Sequence, residues 1–146
     1  LILKYFPVGS IRDIHNGNPW EVQWIPVGSR TFSLNQIEHD ILRKQFDEPA
    51  IHFAVNCAAR SCPPLHHRAW TAENLDTLFE QQARAFVNDD RFNRISAAGA
   101  SVSQIFNWYA EDFGDLRAYL NRYSRTAISQ GAPITFQEYD WSLNRQ

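Results

Sequence analysis

The chain predicts an α+β fold: a single domain with a mixed or antiparallel sheet, a central buried strand at Ile51–Cys57, and helices packed on it. Three observations carry that expectation. From Ile51 to Cys57 the run is apolar and β-prone except at His52 and Asn56, as in a strand covered on both faces. Apolar residues recur at helical spacing after Ser33, Thr71 and Ser103. Helix-like and strand-like stretches succeed one another without the regular alternation of a βαβ series, and neither a repeat nor a low-complexity segment interrupts them.

With 146 residues, 44% hydrophobic and 21% charged, residues 1–146 have the size of one domain that buries roughly two thirds of its unfolded surface. Lys+Arg 14 against Asp+Glu 16 gives a net charge of -2 and no basic stripe, which argues against nucleic acid as partner. No apolar run reaches the roughly eighteen residues of a membrane span. No cofactor is implied; the ligand class that fits is a small molecule or a peptide. The chain contains no methionine and opens on Leu1-Ile2-Leu3-Lys4-Tyr5-Phe6-Pro7, which reads as the last turn of a helix begun upstream, so N-terminal residues of the domain are expected to be missing.

Taken in order, Val8 to Pro19 is rich in Gly, Asn, Asp and Pro and reads as an irregular connection. Trp20 to Val27 and Arg30 to Ser33 are β-like and meet at Gly28-Ser29, a Gly-first two-residue hairpin turn. Ser33-Leu34-Asn35-Gln36 is a capping box and starts a helix whose apolar positions Leu34, Ile37, Ile41 and Leu42 put Glu38 on the inward face and His39 at its edge. Asp47-Glu48-Pro49 ends that helix. Beyond the central strand, Cys57 to Cys62 is a short turn stopped by Pro63-Pro64. Thr71 is the expected N-cap of a helix with the stripe Leu75, Leu78, Phe79, Ala83, Phe86 and Val87. Arg91 to Ser96 and Ala100 to Ser103 form a second hairpin. Ser103 caps a helix that Gly114 ends; Leu116, Tyr119, Leu120 and Tyr123 mark a further helical turn or two; Ile134 to Trp141 is a last strand.

Reactive side chains concentrate around the two cysteines. A thiol is nucleophilic when its thiolate is favoured, and that needs an imidazole in turn oriented by a carboxylate or amide. Cys57, His39 and Glu38 make such a catalytic set, with Cys57 as nucleophile, His39 as base and Glu38 as orienting or structural carboxylate. On a strand, His52 would lie on the opposite face from Cys57 and roughly 16 Å along it, which leaves His39 the better base. Against this stands the plainer reading of Cys57 as a small core residue. A Cys57–Cys62 disulfide is the second reading: it removes the nucleophile, staples a non-catalytic protein- or peptide-binding module, and implies an exported setting, periplasmic or extracellular. Metal ligation by Cys57, Cys62 and His39 or by His66-His67 matches no standard knuckle spacing, and no metal is assigned. Arg60 and Cys62 in the loop, and Asp140 near the end, are the candidate binding residues. Arg60 pairs with Glu38, meets a substrate carboxylate or is solvated; Asp140 orients a histidine or closes an Asx turn. His52 and Asn56 read as satisfied structural polar groups.

The order of motifs, Ser10-Ile11-Arg12-Asp13, Leu34-x-x-Ile37-Glu38-His39-x-Ile41-Leu42-Arg43, Ile51-His52-Phe53-Ala54-Val55-Asn56-Cys57-Ala58, Ser61-Cys62-Pro63-Pro64-Leu65, Ile105-Phe106-x-Trp108-Tyr109-x-x-Asp112-Phe113 and Tyr139-Asp140-Trp141-Ser142-Leu143-Asn144, resembles the domain of unknown function 547 family over nearly the whole chain. The resemblance implies a further helix before this chain begins, carrying a Trp-x-Asn-x-x-Asn-Ala type motif. It implies no activity, since the family is named for the lack of one.

Overall fold

A computed structural model describes residues 1–144. The chain is α+β, as its sequence predicts, and two compact units emerge. One gathers Leu1–Glu48, Cys57–Cys62 and the stretch from Asp140 onward; the other gathers Pro49–Asn56 and Pro63–Tyr139. Among the described residues no helix is long and apolar enough to cross a membrane.

In the first unit a single helical turn, α1 (Ile2–Tyr5), precedes an irregular stretch that includes a 3-10 turn at Ile11–Asp13. That turn has its own capping box: Ser10 Oγ accepts the Arg12 N–H and Asp13 Oδ2 accepts the Ser10 N–H. The expected hairpin forms as β1 (Ile25–Val27) and β2 (Arg30–Phe32), antiparallel with Ile25 opposite Phe32. Gly28 at its turn has φ +61, the left-handed value that a Gly-first turn requires. The Ser33 capping box is present as read: Gln36 N–H donates to Ser33 Oγ at 3.1 Å and Ser33 N–H to Gln36 Oε1 at 2.9 Å. The helix that this box opens is not regularly α. Gln36–Leu42 is π-helical, passing into α2 (Arg43–Gln45). The wider turn redistributes the side chains that an α-helical count assigns to the inward face, and no residue of Gln36–Leu42 is fully buried.

The second unit holds an aromatic core. The expected central strand is absent: Ile51–Ala54 is a helical turn, α3, and Val55 after it is extended without pairing into a strand. The Pro49 carbonyl accepts the His52 N–H, Ala50 accepts from Phe53, and Ile51 from Val55. A seven-residue apolar run bears no decisive period, so burial among helices decides its form and β-propensity loses. Ile51, His52 and Phe53 are all buried, which a turn surrounded by partners permits. Phe53 lies 5.0 Å from Phe86 and 5.9 Å from both Phe106 and Phe113, ring centre to ring centre.

The long helix α4 (Leu75–Val87) buries Leu78, Ala83, Phe86 and Val87 of its predicted stripe. Its N-cap is Asn74, not Thr71; Thr71 N–H donates to Asn74 Oδ1, so the expected cap residue belongs to the preceding turn. The second hairpin forms as β3 (Arg94–Ser96) and β4 (Gly99–Val102). Helices α5 (Ile105–Trp108) and α6 (Ala110–Phe113) come next, and Gly114 at φ +59 ends α6. Ser103 Oγ accepts the Ile105 N–H ahead of α5. After α7 (Leu116–Tyr123), β5 (Ile134–Phe136) joins β4 in parallel, so the three-stranded sheet is mixed. The last strand stops at Phe136; Tyr139 to Trp141 lies outside it. Asn93, buried and unremarked in the sequence, joins two elements by donating to the Phe86 carbonyl at 2.7 Å and accepting the Ser103 N–H at 3.0 Å.

Candidate functional site

The cysteine loop begins with a sharp reversal. Ala58 has φ +62, a left-handed conformation that costs an alanine of the order of 1 kcal/mol and persists only where its surroundings enforce it. Those surroundings are the terminal segment. Asn144 N–H donates to the Ala58 carbonyl at 3.0 Å, Arg60 N–H to the Ser142 carbonyl at 2.8 Å, and Ala59 pairs antiparallel with Leu143. Ser61 and Asp140 close the other end: Ser61 N–H donates to the Asp140 carbonyl, and Asp140 N–H to Ser61 Oγ at 2.9 Å. On its far side the segment is fixed to the N-terminal stretch, where Ser10 Oγ donates to the Trp141 carbonyl at 2.7 Å and Leu143 N–H to the Gly9 carbonyl at 2.9 Å. Trp141 also carries the Arg12 guanidinium over its ring and meets Trp20 edge to face.

Within this clamp the two sulfurs differ. Cys62 is buried and its Sγ accepts the Cys57 backbone N–H at 3.0 Å, while Cys57 is half-buried. Both are thiols, so the expected Cys57–Cys62 disulfide is corrected. The loop that a bridge was expected to close is held instead by main-chain hydrogen bonds, with the Cys57 amide against the Cys62 sulfur. An N–H aimed at sulfur favours negative charge there.

Asp140 takes the second of its two expected roles. Its Oδ1 accepts both the Ser142 N–H at 2.9 Å and the Ser142 hydroxyl at 2.6 Å, an Asx-type turn. These bonds to Ser142 hold its carboxyl below the usual range, with a smaller contribution from the Arg60 charge. Arg60 is exposed.

Glu38 and His39 lie in the π-helical segment of the same unit, both half-buried. The Glu38 carbonyl accepts the Arg43 N–H in the i to i+5 pattern, and His39 Nδ1 stands 3.2 Å from Arg43 Nη1. Asp40 bonds Lys44 at 2.8 Å, and the Lys44 ammonium depresses its carboxyl, with His39 a minor contributor. Cys57, Arg60, Cys62 and Asp140 are thus assembled in one clamp, and Glu38 and His39 arrive on a separate element of that unit. Ser10, Ser61 and Ser142, which complete the clamp, stand in the quoted motifs but were given no role by the sequence reading. The Asp-x-Ser spacing of 140 and 142, which suits an Asx turn, was the available signal.

The remaining polar candidates belong to the second unit. His52 Nε2 bonds Asp112 Oδ2 at 2.6 Å, stacks on Tyr109 at 4.0 Å, and is almost wholly buried. Asn56 donates to the Pro63 carbonyl at 2.7 Å. Both are satisfied structural groups. His66 and His67 stack on each other in the loop, with His66 Nδ1 accepting the Arg68 N–H. Among the described residues no three His, Cys, Asp or Glu side chains gather as a metal ion would need.

Residues 4–87 match the family model described as protein of unknown function, DUF547. The match covers about the first 60% of the chain, narrower than the motif resemblance, which ran on to Asn144. No curated protein and no solved structure matches the chain.

Proposed function

Since the chain belongs to the DUF547 family, which brings no activity with it, we propose a function from the side chains themselves: a thiol-dependent hydrolase acting on amide or peptide bonds. Cys57 is the nucleophile, His39 the base and Glu38 an orienting or structural carboxylate. Arg60, Cys62 and Asp140 serve binding and loop geometry. The cycle balances without a cofactor. His39 takes the thiol proton, the Cys57 sulfur attacks the carbonyl carbon, the C–N bond breaks and the amine leaves with that proton. Water then hydrolyses the thioester.

The observation that carries this reading is the clamp. A half-buried thiol sits in a loop whose ends are fixed by the 140–144 segment, and its own amide is fixed on a second sulfur. Such preorganisation is what a nucleophile needs and what a merely packed cysteine does not.

The test is residue-resolved alkylation of the native protein by iodoacetamide across pH. Cys57 is expected to react in the folded protein, and His39→Ala is expected to slow it. Alkylation of Cys57 only after unfolding would overturn the enzyme.

One observation favours a second reading, a non-catalytic protein- or peptide-binding module. An open hollow of about 330 Å³ in the same unit is lined by Leu1, Lys4, Tyr5, His15, Val22, Gln23 and Trp24, with Leu3 and Phe6 exposed nearby in the chain.

A further inference from the structure

An arginine only donates hydrogen bonds; its guanidinium has no acceptor and keeps its charge. The 3.2 Å contact between Arg43 Nη1 and His39 Nδ1 therefore has one chemical meaning: Nδ1 is the acceptor, it carries no proton, and the neutral ring bears its proton on Nε2. Local structure makes the pair. Arg43 stands four residues after His39, and the π-helical backbone brings the Arg43 amide onto the Glu38 carbonyl immediately before His39. A histidine that works as a base in a triad has the opposite neighbour, an acceptor that receives an N–H and steadies the imidazolium. At Nδ1 the neighbour is a cation and a donor.

We propose that Arg43 is a positioning residue for His39, a latch that occupies the Nδ1 lone pair and fixes the tautomer with its proton on Nε2. The proposal rests on the reading of His39 as base and adds its regulation. The nitrogen able to take the Cys57 proton is Nδ1, and it does so once the guanidinium has moved away. While Arg43 is in place, Nδ1 of His39 is no base. Proton uptake by His39 and departure of Arg43 are then one event.

The tautomer is read directly from the two ring-nitrogen shifts of His39 in the folded, 15N-labelled protein. The expected result is an unprotonated Nδ1 and a protonated Nε2 at mildly alkaline pH. Arg43→Met is expected to shrink the difference between the two shifts as the tautomers mix, and Arg43→Lys, still only a donor, to restore it. A proton on Nδ1 in the unaltered protein overturns the latch without any variant, and so does an Arg43→Met spectrum identical to that protein's. Iodoacetamide labelling of the same samples separates the two ideas: the expected tautomer with a Cys57 that stays unreactive in Arg43→Met as well sinks the hydrolase and leaves the latch standing, whereas a reactive Cys57 beside an Nδ1-protonated ring does the reverse.

Discussion

Phe53 and Cys57 are four residues apart in sequence and are held by different forces. Phe53 is buried to 1% exposure among Phe86, Phe106 and Phe113, in a unit whose centre is a continuous cluster of apolar side chains. The Cys57 loop belongs to a unit in which Ile11, Ile14, Ala59 and Leu143 are buried, and its shape comes from backbone and side-chain hydrogen bonds to 140–144. A hydrocarbon core tolerates no loss of volume, while a hydrogen-bonded loop exchanges its bonds for bonds to water at small net cost. Candidate chemistry gathers in the second kind of structure for a physical reason. Groups that must change partners during a reaction belong where partners are exchangeable.

The hardest test of that contrast is Phe53→Ala. Removing a fully buried ring from an aromatic cluster costs about 4 kcal/mol, read as a shift of the urea midpoint with unchanged slope. A cost near 1 kcal/mol would mean the cluster collapses around the gap and is no rigid core. The next effect in size is Asp112→Ala, which leaves the buried His52 Nε2 without its carboxylate. It should cost about 2 kcal/mol, with Asp112 itself partly open to water. Asp112→Asn keeps an acceptor and should cost less. If the alanine variant matched the unaltered protein in stability, the His52–Asp112 bond would carry no structural weight.

Which of these features the sequence disclosed depends on how local each one is. The Gly28-Ser29 hairpin and the Ser33–Gln36 capping box are fixed by neighbours within four residues, and both formed as read. The Leu78 to Val87 stripe spans enough turns for its period to show. Ile51–Cys57 does not: seven residues fit a strand or a helical turn, and the choice was made by Phe86, Phe106 and Phe113, distant in sequence. The π-helical widening at Gln36–Leu42 has no signature in residue types, so the inward face counted for Glu38 dissolved. His52 was legible as a satisfied polar group, but its partner, sixty residues on, was not. The cysteine loop and the terminal Asp140-Trp141-Ser142 were each singled out. That one clamps the other became visible only in three dimensions.

The smallest expected effect is the most discriminating for the clamp. The Asp140 carboxyl, bonded to Ser142, is held below its ordinary value, so its contribution is complete above the unfolded value of about 3.9 and is lost as pH falls through the folded one. Because that carboxyl is fully exposed, the loss appears as local loosening and not as unfolding of the core. Hydrogen exchange at Arg60, Ser61 and Asn144, corrected for the intrinsic rate at each pH, should therefore be level between neutrality and pH 5 and rise below about pH 4. Asp140→Asn keeps Oδ1 as an acceptor and removes the titration, so its profile should stay level through the same range. Equal acid loosening in both proteins would assign the effect to another carboxylate. An accompanying loss of protection at Phe86 and Val87 would show that the hydrogen-bonded loop and the aromatic core yield together, and the contrast between them would fall.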